Sequence, residues 1–360
     1  MRDHGLREQS FRTQLLSWYG AHARNLPWRE SRDPYRVWVS EIMLQQTRVA
    51  AVIAHYHEFL RRFPSVEKLA RSREATVLAA WSGLGYYRRA RMLRAAAKVV
   101  VRERDGKFPA TAEELRMLPG VGRYTAAAIA SIAFREPVAV VDGNVERVLQ
   151  RFSGRHLAGE DFWDAAEHWL DRERPGDFNQ ALMELGATVC TPRTPACLTC
   201  PVIDLCATRG ELANLKKTAR QKKREIHCAL NIRDGSVLLV QRARDARLMA
   251  GMWELPEIHA GAKARSNGSG EIAALKAQRH PKAKGGGNAE GCFTLKHSIT
   301  VTDYTVRVWR MSAPPHDGGK WFQVERLAHV ALTGLARKIL LRAGVIANPR
   351  QKYNSPSIML

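Results

Sequence analysis

The chain has 360 residues, enough for two or three domains with cores of their own. Lysine and arginine outnumber aspartate and glutamate 57 to 35, a formal net charge of +22, which points to a polyanion, and for a globular composition that polyanion is nucleic acid. No apolar run approaches the roughly 20 residues of a membrane span. The N-terminus carries Asp3 and Glu8 without the apolar core of a signal peptide. Six cysteines, four of them in one short cluster, suggest a reducing compartment and a metal site instead of disulfides.

Residues 1–24 read as a short amphipathic helix (Phe11, Leu15, Leu16, Trp18, Tyr19) leading to Asn25, Leu26, Pro27, Trp28 and Arg29. Pro34 then precedes a long helical run expected over 35–63. Inside it sits VWVSEIMLQQTRV, where Glu41, Leu44 and Gln45 stand at i, i+3 and i+4 and so share one face. The segment is otherwise apolar (Val37, Trp38, Val39, Ile42, Met43). A glutamate on its inner side is costly as an anion and tends to keep its proton near neutral pH, as a general acid must. A solvated surface glutamate is the plainer alternative. In WSGLGYYRRARML, Arg88, Arg89, Arg91 and Arg94 recur at helical spacing, suited equally to phosphates and to a solvated basic face.

The stretch 118–148 reads LPGVGRYTAAAIASIAFREPVAVVDGNVERV. Pro119, Gly120 and Gly122 break any helix begun by 112–117, and the Ala-rich run 124–132 starts another at once. A Gly-Val-Gly turn between two helices leaves the first N–H groups of the second pointing outward. Those donors, with the helix dipole, suit a phosphate. Asp142 follows the apolar run 138–141 and precedes Gly143 and Asn144. Helix is expected again through Leu170 and over 178–189. Cys190-x6-Cys197-x2-Cys200-x5-Cys206 places four thiols within 17 residues, close enough to converge on one centre. Structural zinc and an iron–sulfur cluster both accept four thiolates. Cys228 and Cys292 read as buried small residues. Residues 214–224 hold six basic side chains and no acidic one, a linker in contact with DNA or simply solvated. Beyond it IHCALNIR, SVLLVQRA, TVRVWRM and KWFQV read as strands, and 327–342 as a closing helix.

The hairpin turn followed at this distance by Asp142 resembles the helix-hairpin-helix DNA glycosylases, and SEIMLQQTRV resembles their adenine-specific, MutY-type branch. The resemblance implies a multidomain fold: an all-α helix-hairpin-helix glycosylase core with a [4Fe-4S] loop, plus an α+β Nudix-like C-terminal domain. The implied boundaries are 25–134 for a six-helix barrel domain with the hairpin and 1–24 with 135–210 for the iron–sulfur cluster domain. A basic linker at 211–226, a Nudix-like lesion-recognition domain at 227–345 and a tail at 346–360 complete them. The cysteine spacing is that of the [4Fe-4S] loop in endonuclease III and MutY, with Cys190, Cys197, Cys200 and Cys206 as ligands. The same resemblance makes Glu41 the catalytic acid and places Gln45, Gln46 and Thr47 beside the lesion. It gives the wedge between bases to Leu84 and Tyr86, the phosphate turn to Gly120 and Gly122, further DNA contacts to Arg29 and Arg88, and the lining of the site to Tyr124 and Asn144.

GMWELPEI resembles the start of the Nudix-like domain, yet 260–291 carries only Glu271 and Glu290 as acids, so no pyrophosphatase activity is expected. Leu295-Lys296-His297 stands where the family has a Phe-Ser-His loop that finds 8-oxoguanine, and only His297 matches. Tyr124 stands where bifunctional endonuclease III-type enzymes have the lysine that attacks the sugar. The expected reaction is therefore monofunctional: flipping and N7 protonation of an adenine mispaired with 8-oxoguanine or guanine, with Asp142 stabilising the oxocarbenium-like sugar. The expected partner is duplex DNA carrying that mispair, met by a monomer in the cytoplasm on the nucleoid, with no membrane involved. The rivals are a bifunctional oxidised-pyrimidine glycosylase and lyase, and a non-catalytic damage binder.

Overall fold

The structure is a computed structural model that describes residues 2–209, 222–246, 248–258, 293–299, 302–311 and 319–347. Most of the basic run 214–224, the segment 260–291, Cys292 and all but the first two residues of the tail 346–360 lie outside the described residues. By contacts the chain forms two compact units, one of residues 1–72 with 89–216 and one of 73–88 with 217–360.

Helix starts follow capping chemistry. After α1 (Arg2–His22), Asp33 accepts from the Arg36 N–H at 2.8 Å and Pro34 takes the first position, opening α2 (Pro34–Leu44). The long helix expected over 35–63 is in fact two. Gln46 adopts a left-handed φ of 54°, and α3 (Val49–Arg62) starts afresh. The pattern concealed this break because no glycine or proline marks it; a side chain from elsewhere stabilises it, as described below. Ser65 caps α4 (Val66–Arg71), which leads to α5 (Glu74–Ala80), α6 (Arg88–Arg104) and α7 (Ala112–Leu115), a single turn capped by Thr111. Then come α8 (Arg123–Phe134), α9 (Gly143–Ser153), α10 (Asp161–Trp169) and α11 (Pro175–Thr188). The expected helix through Leu170 is also broken, at Gly154, whose φ of 69° ends α9.

In the first unit α2 packs on α3 and α8, while α11 packs on α1, α8 and α9. Phe11, Phe152, Trp169 and Phe178 meet in tilted and edge-to-face pairs at 4.5–6.0 Å between centroids and fill the core beneath the cysteine loop, together with Leu15, Val148 and Leu185.

The second unit is mixed α and β. β1 (Lys222–Leu230) runs parallel to β6 (Thr302–Arg310), whose other edge pairs antiparallel with β5 (Phe293–Ile299). A second sheet centres on β3 (Ser236–Gln241), paired antiparallel with β2 (Ile232–Arg233), β4 (Trp253–Glu254) and β7 (Lys320–Gln323). The closing helix is shorter than expected. A 3-10 segment covers Val324–His329, and Thr333 caps α12 (Gly334–Arg342), which lays Ile339 and Leu340 on a core of Cys228, Leu230, Val237, Leu239, Val306 and Val308. The fold is thus a helical unit with a cysteine loop and a separate α+β unit. Among the described residues no helix is long and apolar enough to cross a membrane.

Candidate active site

The centre of the helical unit is a buried carboxyl. Glu41 is 5% exposed on α2, and the Tyr124 hydroxyl of α8 donates to its Oε2 at 2.7 Å. Burial raises the Glu41 pKa from 4.5 to about 7; the Tyr124 hydrogen bond opposes that rise, the nearby Asp142 charge adds to it, and Arg29 lowers it. Tyr124 itself is held well above the ordinary phenol range, first by burial and then by Glu41 and Asp142, so it stays a donor. The charge of Asp142, at the start of α9, is therefore felt by both Glu41 and Tyr124.

Asp142 is the N-cap of α9: Oδ1 accepts from the backbone N–H of Asn144 at 2.9 Å and of Val145 at 2.8 Å. Oδ2 accepts from the Asn144 side-chain amide at 2.9 Å. Asn144 sits inside the first turn of α9 and accepts from Arg147 Nη2 at 2.9 Å. Arg147 also donates to the Gly186 carbonyl at 2.6 Å and, through Nε, to the Cys190 carbonyl at 2.7 Å. A Cβ on Gly186 would lie 2.7 Å from that of Asn144, so only glycine lets α11 come this close to α9.

One turn on, buried Arg151 donates to the carbonyls of Thr191 at 2.7 Å and Pro192 at 3.0 Å, with Nη1 3.4 Å from Cys190 Sγ. Cys190, Cys197, Cys200 and Cys206 line one cavity with Val148, Phe152, Leu185 and Val202. Among the described residues no group of three ligating side chains closes on a single ion. Four thiols spread around a shared cavity, next to a guanidinium that favours an anionic ligand set, suit a multi-atom cluster better than one zinc ion.

A second buried carboxylate shows the opposite tuning. The Glu184 side chain, on α11, is 1% exposed and receives Arg24 Nε at 2.6 Å, Arg24 Nη2 at 2.8 Å and Arg29 Nη2 at 2.8 Å. Burial pushes its pKa up, yet the two guanidiniums prevail and hold it at about 2. Sequence reasoning missed Glu184, although a glutamate inside ALMELGA carries the same signal that singled out Glu41. It also took Arg29 for a DNA contact. The structure spends that side chain internally, on Glu184, on the Arg24 carbonyl at 3.1 Å and over the Tyr19 ring.

The basic face of α6 divides as well. Arg88 is exposed, as a phosphate contact requires. Arg89 instead caps α2: its Nη1 donates to the carbonyls of Ile42 at 2.7 Å, Met43 at 3.0 Å and Gln45 at 2.6 Å, and Nη2 to Thr47 Oγ1 at 3.1 Å. This is the side chain that stabilises the break in the expected long helix. Arg94 donates to the Ser72 carbonyl at 2.6 Å. The Gln45 amide reaches Thr125 Oγ1 at 3.0 Å, which leaves Gln46 as the exposed apex of the turn.

In the hairpin, Gly120 has φ 77°, and a Cβ there would lie 2.4 Å from Met92 Cβ. Gly122 is the N-cap of α8 with nothing within 4 Å of where a Cβ would be, so the space before the first N–H groups stays open. In the second unit, Tyr86 is 48% exposed with φ 46°, whereas Leu84 is 5% exposed. Leu84 is therefore packed inside, and of the two only Tyr86 reaches the surface. Leu295, Lys296 and His297 lie in strand β5 and not in a loop. Lys296 is exposed; His297, opposite Tyr304, is half-buried, and burial with the Lys338 charge lowers its pKa, so the ring is neutral at pH 7.

Comparison with known proteins bears on this geometry. Residues 39–159 match the model of the HhH-GPD superfamily base excision DNA repair protein, and residues 190–206 that of the iron–sulfur binding domain of endonuclease III. An adenine DNA glycosylase of Mus musculus is 42% identical over 312 residues, 69% of this chain and 60% of that one. One of Mycobacterium tuberculosis (strain CDC 1551 / Oshkosh) is 47% identical over 204 residues, 55% of this chain and 67% of that one. The structure of a thermostable thymine-DNA glycosylase superposes with a TM-score of 0.55 at 30% identity, covering 58% of this chain and 99% of that one. The chain spans about half the length of the curated eukaryotic relatives it matches.

Proposed function

Because the chain belongs to the HhH-GPD superfamily of base excision DNA repair proteins, we propose that it is a monofunctional adenine DNA glycosylase acting on duplex DNA in which adenine faces 8-oxoguanine or guanine. The observation that carries this reading is the buried Tyr124–Glu41 hydrogen bond beside Asp142. Tyr124 occupies Glu41 Oε2, so Oε1 is the oxygen left to carry a proton to N7 of an extruded adenine. With N7 protonated, the C1′–N9 bond breaks, its electron pair leaves with the base, and positive charge develops on the sugar. Asp142, both oxygens fixed by N–H donors, would oppose that charge as an anion, and water would then add to C1′ and give up a proton that restores the Glu41 carboxyl. No lysine stands at Tyr124 to form an imine with the sugar, so the product is an intact abasic strand.

Gly120, Gly122 and the N–H groups opening α8 would grip a phosphate, Arg88 another, and Gln46 with Thr47 would enter the duplex from the turn after α2. Tyr86 would wedge between bases and so offset part of the cost of extrusion. His297, neutral and half-buried, supports the lesion-reading strand more than it reads the lesion, a role that exposed Lys296 suits better. Cys190, Cys197, Cys200 and Cys206 would hold the [4Fe-4S] cluster, which when bound cross-links the loop and offers no open coordination site for hydrolysis. Arg147 and Arg151 tie that loop to the first turns of α9, where Asp142 sits. The protein would act as a monomer on cytoplasmic, nucleoid DNA.

Single-turnover incubation with a duplex carrying adenine opposite 8-oxoguanine tests the proposal. Free adenine should appear, the strand should stay uncut until alkali is added, and borohydride should trap no protein–DNA adduct. Trapping, or release of an oxidised pyrimidine in place of adenine, would overturn it.

A further inference from the structure

The turn that presents Tyr86 is laced in an unusual way. Trp81 Nε1 donates to the Gly85 carbonyl at 3.1 Å, and the Gly83 N–H donates to the Tyr87 hydroxyl at 3.4 Å. That hydroxyl donates in turn to the Leu332 carbonyl at 3.0 Å, and Ser82 Oγ donates to the same oxygen at 3.1 Å. A carbonyl has two lone pairs, and here both are taken by buried hydroxyls some 250 and 245 residues away in sequence. The acceptor is itself immobilised. The Trp253 N–H reaches the Ala331 carbonyl at 2.8 Å, the Thr333 N–H reaches the Trp253 carbonyl at 2.9 Å, and Thr333 caps α12. Above this buried base stands Tyr86, left-handed at φ 46° and exposed, a conformation that a non-glycine residue keeps only where its surroundings impose it.

We propose that Ser82 and Tyr87 are positioning residues that fasten the Tyr86 turn to the C-terminal segment through Leu332, so that the wedge moves with the α+β unit. The inference rests on the reading of Tyr86 as a wedge. Two donors on one acceptor make the anchor partly redundant. Tyr87→Phe and Ser82→Ala should each cost a few-fold, and the double variant more than their product.

The test uses the full chain with its cluster, comparing wild type, both single variants, the double variant and Tyr86→Ala. Amide exchange over residues 81–88, which needs no substrate, should quicken about tenfold in the double variant. The double variant should bind the adenine–8-oxoguanine duplex about tenfold more weakly relative to undamaged duplex, and adding Tyr86→Ala to it should change nothing further. Unchanged exchange, or full discrimination in the double variant where Tyr86→Ala alone loses it, overturns the anchor. A wild type that exchanges as expected yet releases no adenine overturns the glycosylase reading and leaves exchange to decide the anchor. Should the double variant fail to fold, Tyr87→Phe, which also strips Gly83 of its acceptor, is read alone: exchange about threefold faster supports the anchor and wild-type exchange overturns it.

Discussion

Replacing Glu41 by glutamine should make the protein inactive and, above neutral pH, more stable. In the unfolded chain the carboxyl ionises freely; in the folded protein its charge is buried, with one hydroxyl donor beside it. The folded state therefore holds a proton that the unfolded state has lost between the ordinary value of 4.5 and about 7. Stability falls as pH rises through that window, because unfolding releases the proton. A rise from 4.5 to about 7, at 1.36 kcal/mol per pH unit, amounts to about 3 kcal/mol. Glutamine can still accept from Tyr124 and carries no charge, so Glu41→Gln should recover most of that above pH 7 and little near pH 4.5. Melting followed by circular dichroism should show the variant several degrees above wild type at about pH 8.5, at roughly 2–4 °C per kcal/mol for a unit of this size. Near pH 5 most of the gap should close. A gap independent of pH, or a variant that melts below wild type at alkaline pH, would refute the buried-acid reasoning.

Asp142→Asn keeps a side-chain oxygen at the N-cap of α9, so it should shift stability by less than about 1 kcal/mol while lowering the single-turnover rate by orders of magnitude. A near-normal rate would remove Asp142 from the chemistry. Arg89→Met removes four hydrogen bonds from the end of α2 and should destabilise by roughly 2–4 kcal/mol, measured by urea titration. Because Arg89 faces carbonyls, the slope of log Kd against log salt should stay unchanged; a fall of about 1 would mark a phosphate contact. Cys200→Ala should leave the protein depleted of iron and sulfide and melting lower; full iron content would take that thiol out of the ligand set.

What the sequence disclosed was whatever is encoded locally. The glutamate in an apolar run, the Gly-Val-Gly turn, the aspartate before Gly-Asn and the cysteine spacing each carry their reason within about 20 residues of themselves. Tyr124 bonds Glu41 and both feel the charge of Asp142, and the cysteines share one cavity. What stayed hidden depends on partners distant in sequence. No local pattern reveals that Arg89, in a basic run that resembles a DNA face, turns inward to cap α2, or that Arg29 is consumed by Glu184. The break at Gln46 has no glycine to announce it, since the cap comes from α6. That Ser82 and Tyr87 both donate to the Leu332 carbonyl is equally hidden, because the sequence places Leu332 in another region altogether. Leu295-Lys296-His297 lies in a strand because β6 pairs with it across its whole length, a register that the sequence of β5 alone does not fix.

The central claim is that a protonated, buried Glu41 delivers the catalytic proton. Its most direct test is the pH dependence of single-turnover adenine release from an adenine–8-oxoguanine duplex at saturating protein. The rate should hold steady below pH 7 and fall about tenfold per pH unit above it as Glu41 loses its proton. A rate that stays level or climbs through about pH 8.5 would contradict it.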